Sequence, residues 1–90
     1  MISFLMKKNK NNKGVVHAAP FFHSLNIEKQ YFDLIKQNKK QYELRSDRNF
    51  KINDYLFITN NNETIIKRVV YVLRNVEQYG LMKGYVILSF

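Results

Sequence analysis

Residues 39 to 48, KKQYELRSDR, hold the densest group of side chains that could do chemistry. In an extended strand, Glu43 and Arg45 share one face and lie about 6.5 to 7 Å apart along the chain. Tyr42 and Leu44 turn to the other face, which we expect to pack in the core. The polar face then offers a cation, a carboxylate and a guanidinium, which together predict a pocket for a base, a sugar or a phosphate.

The polar face also has a plainer interpretation. A solvated strand surface with a weak ion pair shows the same spacing. Metal chemistry is not indicated, because the chain has no cysteine and its two histidines, His17 and His23, lie outside the stretch. We therefore expect no metal site and no cofactor, and a lone histidine such as His23 is more often a structural hydrogen-bonding residue.

The net charge of +8 invites a nucleic-acid partner, because 15 lysines and arginines stand against 7 acids. Its distribution weakens that argument. Residues 1 to 14 carry four lysines and no acid, so half of the net charge lies in this tail. The chain is also rich in Asn, Lys and Ile, a bias expected of a genome rich in A and T. Charge alone therefore favours a polyanion partner and a compositional origin about equally.

The chain divides into an extension and one domain. In residues 1 to 22, the run KKNKNNKG has no apolar residue and Pro20 interrupts the apolar run after it, which predicts a basic, partly disordered extension. Residues 23 to 90 have the periodic pattern of a folded unit. No apolar run is long enough to span a membrane, and the lack of cysteine is typical of a reducing compartment, so we expect a cytoplasmic protein.

The pattern within residues 23 to 90 predicts one helix and five or six strands. The helix covers EKQYFDLIKQN, in which Tyr31, Leu34 and Ile35 form an apolar stripe, and Asn38 is expected to end it. One helix and this many strands in a short chain predict an α+β domain built on a small, strongly curved sheet or barrel. The first strand is expected from His23 to Ile27, and the later ones at 41–45, 55–59, 64–73 and 84–90, with a hairpin turn at 60–62 and a connection at 74–81 that Gly80 ends.

Several aromatic residues fall among apolar positions of these elements. Such positions are typical of core side chains rather than of platforms on which bases stack. The predicted core aromatics are Tyr31, Phe32, Phe50, Phe57 and Tyr71.

Five pieces of the domain resemble one known family. In chain order they read HSLNI, YFDLIKQNKKQYELR, SDRNFKINDYLFI, VVYVLR and YGLMKGYVILSF, and they are similar to the ASCH family of the PUA-like superfamily, in particular to its small stand-alone branch in bacteria and phages. The diagnostic piece of that family is a glycine, one residue, a lysine, two residues, an acid, one residue and an arginine. The matching positions here are Asn38, Lys40, Glu43 and Arg45. Asn38 and Asn53 stand where this branch has glycine, and both are expected in turns with positive φ.

The resemblance implies a PUA-like β-barrel with a cleft beside the helix, in a superfamily associated with RNA recognition. We therefore predict a nucleic-acid-binding module, for RNA. In this hypothesis Lys40, Glu43 and Arg45 line the cleft, while Arg48 contacts phosphates and Tyr85 borders the cleft. Arg45 would contact a phosphate or base edge through two hydrogen bonds, Glu43 would orient Arg45 or accept from a base amine, and Lys40 would supply a point charge.

A second hypothesis is a small hydrolase. One group that the chain resembles acts on an acylated cytidine and uses a lysine at the position matching Lys40, with a threonine in place of Glu43. A hydrolase of this kind, or a ribonuclease, would use Lys40 and Glu43 as its reacting pair and take a modified nucleoside or RNA as its substrate. A third hypothesis is binding of a host protein through an edge strand, for which the sequence offers no positive sign.

Overall fold

The computed structural model describes residues 19–90. Of the extension predicted over residues 1 to 22, positions 1–18 therefore lie outside the described residues. The described chain contains six strands and one α-helix, which confirms the α+β class with one principal helix. None of the helices in this part of the chain is long and apolar enough to cross a membrane. The elements are β1 (Phe22–Asn26), α1 (Lys29–Lys36), β2 (Tyr42–Ser46), β3 (Tyr55–Asn60), β4 (Glu63–Arg68), β5 (Tyr71–Leu73), a short 3₁₀ helix (Glu77–Tyr79) and β6 (Tyr85–Ser89).

The strands form two three-stranded sheets. In the first sheet β3 lies in the middle, parallel to β1 and antiparallel to β4. In the second sheet β6 lies between β2 and β5 and is antiparallel to both. The chain passes between the sheets at two adjacent residues, because the N–H of Val69 donates to Asp54 O beside β3 and the N–H of Val70 donates to Ser89 O in β6, both at 2.8 Å. The strand predicted over 64–73 is therefore two strands, one in each sheet.

The core takes side chains from both sheets and from α1. The helix packs against β3 and buries Phe32 and Ile35. Tyr31 and Leu34, which the predicted apolar stripe included, are exposed, so the buried stripe of the helix is narrower than predicted. Along β3 and β6 every second residue is buried, as a half-buried sheet requires. The buried apolar side chains are Leu25, Ile27, Phe32, Ile35, Phe50, Leu56, Ile58, Val69, Val72, Val86 and Leu88.

The aromatic residues predicted for the core divide into two groups. Phe32 and Phe50 are fully buried, as predicted. Tyr31 and Tyr71 are exposed and Phe57 is only half-buried, so the prediction is wrong for these residues. The strand residues Phe57 and Tyr71 fall on outward positions, because their neighbours along the strand take the inward ones.

Four turn residues have the positive φ that their chemistry predicts. Asn38, Asn53 and Asn61 have φ of 60°, 81° and 53°, and Gly80 has φ of 102°. Asparagine adopts this left-handed region more easily than other residues with a Cβ, because its short side chain can hydrogen-bond locally. Asn61 accordingly lies in the tight β3–β4 hairpin, and Gly80 ends the 3₁₀ helix.

β2 presents the opposite face to the one predicted. Glu43 and Arg45 do share a face, but the register places them opposite two fully buried residues of β6, so they point inward. Tyr42 and Leu44, expected in the core, are each 52% exposed on the outer face. Both inward side chains have hydrogen-bonding partners: Arg45 reaches the backbone carbonyl of Asn26 in β1, and Glu43 bonds to Lys40 and Arg45.

Candidate functional site

Arginine side chains connect β1 and β2, which belong to different sheets. Arg45 Nη2 donates to the carbonyl oxygen of Asn26 at 3.0 Å, and Arg48 Nη2 donates to that of Ser24 at 3.2 Å. The other edge of β1 is occupied by its ladder with β3. The gap between residues 24–26 and residues 40–48, which we call the seam, is thus bridged by guanidinium groups rather than by a backbone ladder.

Glu43 lies between two cations. Its Oε1 accepts a hydrogen bond of 2.6 Å from Lys40 Nζ, and its Oε2 accepts one of 3.3 Å from Arg45 Nε. The side chains of Lys40 and Glu43 are each 13% exposed, and that of Arg45 is 29% exposed. Water therefore screens these charges less than it would on an open surface. We call Lys40, Glu43 and Arg45 the Glu43 cluster; the sequence predicted that these three residues would lie together.

The end of α1 places Lys40 beside Glu43. The N–H of Asn38 donates to Ile35 O and the N–H of Lys39 donates to Leu34 O, both at 2.9 Å, with Asn38 in the left-handed region. This pair of bonds is a Schellman motif, in which a left-handed residue after the last helical turn satisfies the free carbonyls. The motif ends the helix and turns the chain, so that Lys40 lies just before the start of β2.

Lys40 has the surroundings of an ammonium ion. Besides the bond to Glu43, its Nζ donates to the carbonyl oxygen of Tyr42 at 2.6 Å. The same atom lies 4.4 Å from the ring centroid of Tyr42 and 5.6 Å from that of Tyr31. Cations are attracted to the faces of aromatic rings at such distances. The two exposed tyrosines therefore lie against the ammonium group of Lys40.

Arg48 lies beyond the end of β2 and is held more loosely. Its guanidinium donates to Ser24 O and lies 5.2 Å from the ring centroid of Phe50. The residue is exposed. One hydrogen bond therefore ties Arg48 to the seam, and most of its donors face solvent.

An ion pair between Asp47 and Arg74 stabilises the loop that contains Arg48. Asp47 accepts two hydrogen bonds of 3.0 Å from Arg74, and its Oδ1 also accepts the N–H of Asn49 at 2.8 Å. Arg74 donates in addition to Phe50 O at 2.8 Å. The hydrogen bonds from Arg74 hold the pKa of the Asp47 carboxyl below its usual range, although burial acts in the opposite direction. Sequence reasoning missed this pair, because 27 positions separate its members.

His23 and Asp54 form a second pair that the sequence did not reveal. Nε2 of His23 donates to Asp54 Oδ2 at 2.8 Å, and the carboxylate also accepts the N–H groups of Phe21 at 3.1 Å and Lys51 at 3.0 Å. Burial raises the pKa of the Asp54 carboxyl, but the hydrogen bonds from His23 and the two N–H groups outweigh it and lower the pKa overall. Asp54 thus ties the start of β1 to the loop before β3, and His23 has a structural partner.

The region matched by a known family coincides with the folded domain. A family model described as a domain of unknown function, DUF3850, matches residues 22–90. The chain belongs to this family. The DUF3850 domain therefore begins with β1 and contains both sides of the seam and the whole Glu43 cluster. No curated protein matches the chain.

The seam of the DUF3850 domain is positively charged. Lys40 and Arg45 hold the carboxylate of Glu43 between them, and Arg48 adds a further cation at Ser24. Between residues 19 and 90, the His, Asp and Glu side chains form no group of three that could hold a metal ion. The groups that the seam offers to a ligand are therefore guanidinium and ammonium donors.

Tyr85 is the one predicted site residue that the DUF3850 domain does not bring to the seam. It pairs with Ser46 at the end of β2 and lies on the outer face of β6, whereas Glu43 and Arg45 point to the inner face. An open depression does adjoin the seam at Asn26, and its lining includes Glu28. Its other lining residues are Ile27, Thr59, Asn60 and Asn61.

Proposed function

We propose that the chain is a nucleic-acid-binding module that holds single-stranded or looped RNA at the seam. The observation that carries the proposal is the Glu43 cluster, in which one carboxylate holds a lysine and an arginine at the border between two sheets. Arg48 adds a third cation on the same seam. A concentrated positive charge with orienting hydrogen bonds suits a phosphate backbone and polar base edges.

Arg45 is the principal contact in this mechanism. A guanidinium has five N–H donors, and the bonds to Glu43 and Asn26 use two of them within the described chain. The remaining donors form a planar fork that can bind a phosphate or a guanine edge through two hydrogen bonds. Glu43 fixes the plane of that fork, while Lys40 adds a point charge and Arg48 contacts a neighbouring phosphate.

Single-stranded RNA fits the site better than a duplex. The bases of loops and single strands expose their edges, whereas the major groove of an RNA helix is too deep and narrow for side chains. The resemblance of residues 23–90 to the ASCH family supports the same choice. In this proposal the domain is a PUA-like barrel that is open at the seam, and the arginines stand where a closed barrel would have a ladder between β1 and β2.

Substitution of Arg45 tests the proposed function. The binding of a short mixed-sequence RNA, measured by fluorescence anisotropy at near-physiological salt, should weaken about tenfold in Arg45→Ala, since a good bidentate contact contributes roughly 1–3 kcal/mol. Arg45→Lys should recover little of the loss, because an ammonium group cannot form the fork. Lys83→Ala removes one exposed charge outside the seam and is the matched control.

The outcomes distinguish a specific RNA-binding site at the seam from a non-specific attraction between RNA and the net positive charge. A loss below about twofold in Lys83→Ala, with a tenfold loss in Arg45→Ala, supports the seam. Equal losses in both variants, or full recovery in Arg45→Lys, would show that only the net charge matters. No binding of the wild-type protein would overturn the proposed function as a whole.

The 2.6 Å contact between Lys40 Nζ and Glu43 Oε1 favours one other function, a hydrolase that uses this pair. Two groups at this distance can exchange a proton. A lysine that acts as a base must be neutral, however, and Nζ here makes the contacts of an ammonium ion with two oxygens and two rings. We therefore rank hydrolysis second. Incubation with an acylated cytidine and with RNA tests it: product that disappears in Lys40→Ala supports hydrolysis, and no product from either substrate excludes this pair for these substrates.

A further inference from the structure

The outer face of the first sheet carries a group of aromatic residues that are not part of the Glu43 cluster. On this face the register aligns Phe22 of β1 with Tyr55 of β3 and Arg68 of β4, and it aligns Phe57 of β3 with Ile66 of β4. Alternation along each strand places all five side chains outward, because Leu25, Leu56 and Ile58 take the inward positions. We call Phe22, Tyr55 and Phe57 the aromatic platform.

The three rings of the platform lie close together, with that of Phe57 tilted by 41° against that of Phe22. The rings of Phe22 and Tyr55 are stacked, with centroids 5.4 Å apart and planes inclined by 17°, and the ring of Phe57 lies 5.5 Å from that of Phe22. Phe22 is 63% exposed, although it belongs to a regular strand. Tyr55 and Phe57 are half-buried, so Phe22 is the most exposed ring of the platform.

The outward positions of the first sheet carry charge of one sign only. Arg68 lies directly across from Tyr55, and the outward positions of the three strands include no Asp or Glu. On the other side, Arg48 donates to Ser24, which lies two residues along β1 from Phe22 and about 7 Å away. Cations thus flank the rings from β4 and from the seam.

We propose that the aromatic platform stacks the bases of the same RNA strand whose phosphates contact the seam, an inference that rests on the proposed function. Single-stranded nucleic acid is bound elsewhere by exposed rings inside a positively charged track, since every base has a face that can stack. β1 joins the two surfaces, with its edge carbonyls at the seam and Phe22 on its outer face.

The charges favour RNA over a second copy of the chain as the occupant. In a symmetric dimer the same patch meets itself, so Arg68 would be buried against a face that supplies no carboxylate. The outer face of the second sheet makes a useful contrast. Its strand positions carry Tyr42, Leu44 and Tyr71 but no charged residue, and the cation beside it, Lys40 over the ring of Tyr42, is already held by Glu43 and a backbone carbonyl.

Phe22→Leu tests the platform, because it keeps an apolar side chain and removes the ring. The binding of a short mixed-sequence single-stranded RNA should weaken about tenfold, because one base loses the ring on which it stacks. The slope of affinity against salt should be unchanged, because no phosphate contact is removed. Tyr71→Leu, the matched substitution on the second sheet, should bind as the wild type does. An oligomer of equal length without bases should bind wild type and Phe22→Leu equally.

The outcomes distinguish the platform from the seam. Wild-type affinity in Phe22→Leu, together with a loss in Arg45→Ala, overturns the platform and leaves the proposed function standing. No binding by the wild-type protein overturns both. Equal losses for RNA and for the oligomer without bases overturn stacking. Sedimentation of the wild-type protein as a dimer that Phe22→Leu dissociates, without a change in RNA affinity, assigns the face to a second copy and also overturns the proposal.

Discussion

Arg45 of β2 donates a hydrogen bond of 3.0 Å to the backbone carbonyl of Asn26 in β1, so that a single side chain reaches from one sheet to the other. The same guanidinium is held from its Nε side by Glu43. Its position is therefore set by one charged and one backbone acceptor. A ligand that binds Arg45 meets a donor group whose plane is already oriented, which reduces the entropy lost on binding.

Glu43→Gln separates orientation from net charge. The substitution makes the domain more positive by one unit, so an attraction governed by charge alone would strengthen RNA binding. We expect binding to weaken instead, by about three- to tenfold, because the cluster loses the charged acceptor that holds Arg45 and Lys40. Fluorescence anisotropy with a short single-stranded RNA measures the change.

The control for this prediction is Glu77→Gln, which adds the same charge in the exposed 3₁₀ helix. It should leave affinity unchanged or raise it slightly. Stronger binding in both variants to the same extent would contradict an orienting role for Glu43.

Asn38 should tolerate glycine but not alanine. Its φ of 60° closes the Schellman motif at the end of α1, and a residue with an ordinary Cβ is strained there. We expect Asn38→Ala to lower the free energy of unfolding by about 1 kcal/mol and Asn38→Gly to leave it unchanged or raise it. Urea unfolding of both variants tests this.

Asn62→Ala is the control for the Asn38 variants. Asn62 is exposed in the β3–β4 turn, and its φ is not among the positive values in the described chain. It should be close to wild type in stability. Equal losses in Asn38→Ala and Asn38→Gly would show that the asparagine side chain matters more than the backbone conformation.

Asp54 should make the fold sensitive to acid. Its pKa is lower in the folded chain than in the unfolded chain, where a typical Asp has a pKa of about 3.9. Its contribution to stability is therefore present above about pH 4 and is lost as the pH falls through the folded-state pKa. Asp54→Asn should be less stable than wild type by about 2 kcal/mol at pH 7, because the amide would turn an N–H group towards a backbone donor.

The difference between wild type and Asp54→Asn should shrink as the pH is lowered towards 3. Urea unfolding at several pH values gives this difference directly. A gap in unfolding free energy that is the same at pH 7 and pH 3 would contradict the role assigned to the ionised carboxylate.

The predictions that the structure confirms depend on residues that are close together in the sequence. The turn conformations of Asn38 and Asn53 follow from the φ preference of a single residue, and α1 follows from periodicity over one short segment. The proximity of Lys40, Glu43 and Arg45 also follows from spacing along a helix end and a strand. Each of these features is decided within about ten neighbouring residues.

The remaining features depend on partners that are distant in sequence. The inward face of β2 is set by its register with β6, so alternation alone assigned Tyr42 and Leu44 to the wrong side. The break between β4 and β5 follows from where Val69 and Val70 find their acceptors. The pair of His23 and Asp54 spans 31 positions and leaves no local pattern.

The central claim is that the seam is a binding site for single-stranded RNA, and amide chemical shifts test it most directly. A short mixed-sequence single-stranded RNA is added to the isotopically labelled protein at near-physiological salt. The largest shifts are expected at residues 40–48 and 24–26, which form the two sides of the seam. Shifts confined to residues 7–13, or no shifts at all, would contradict the claim and would show that the positive charge of the chain does not form a specific site.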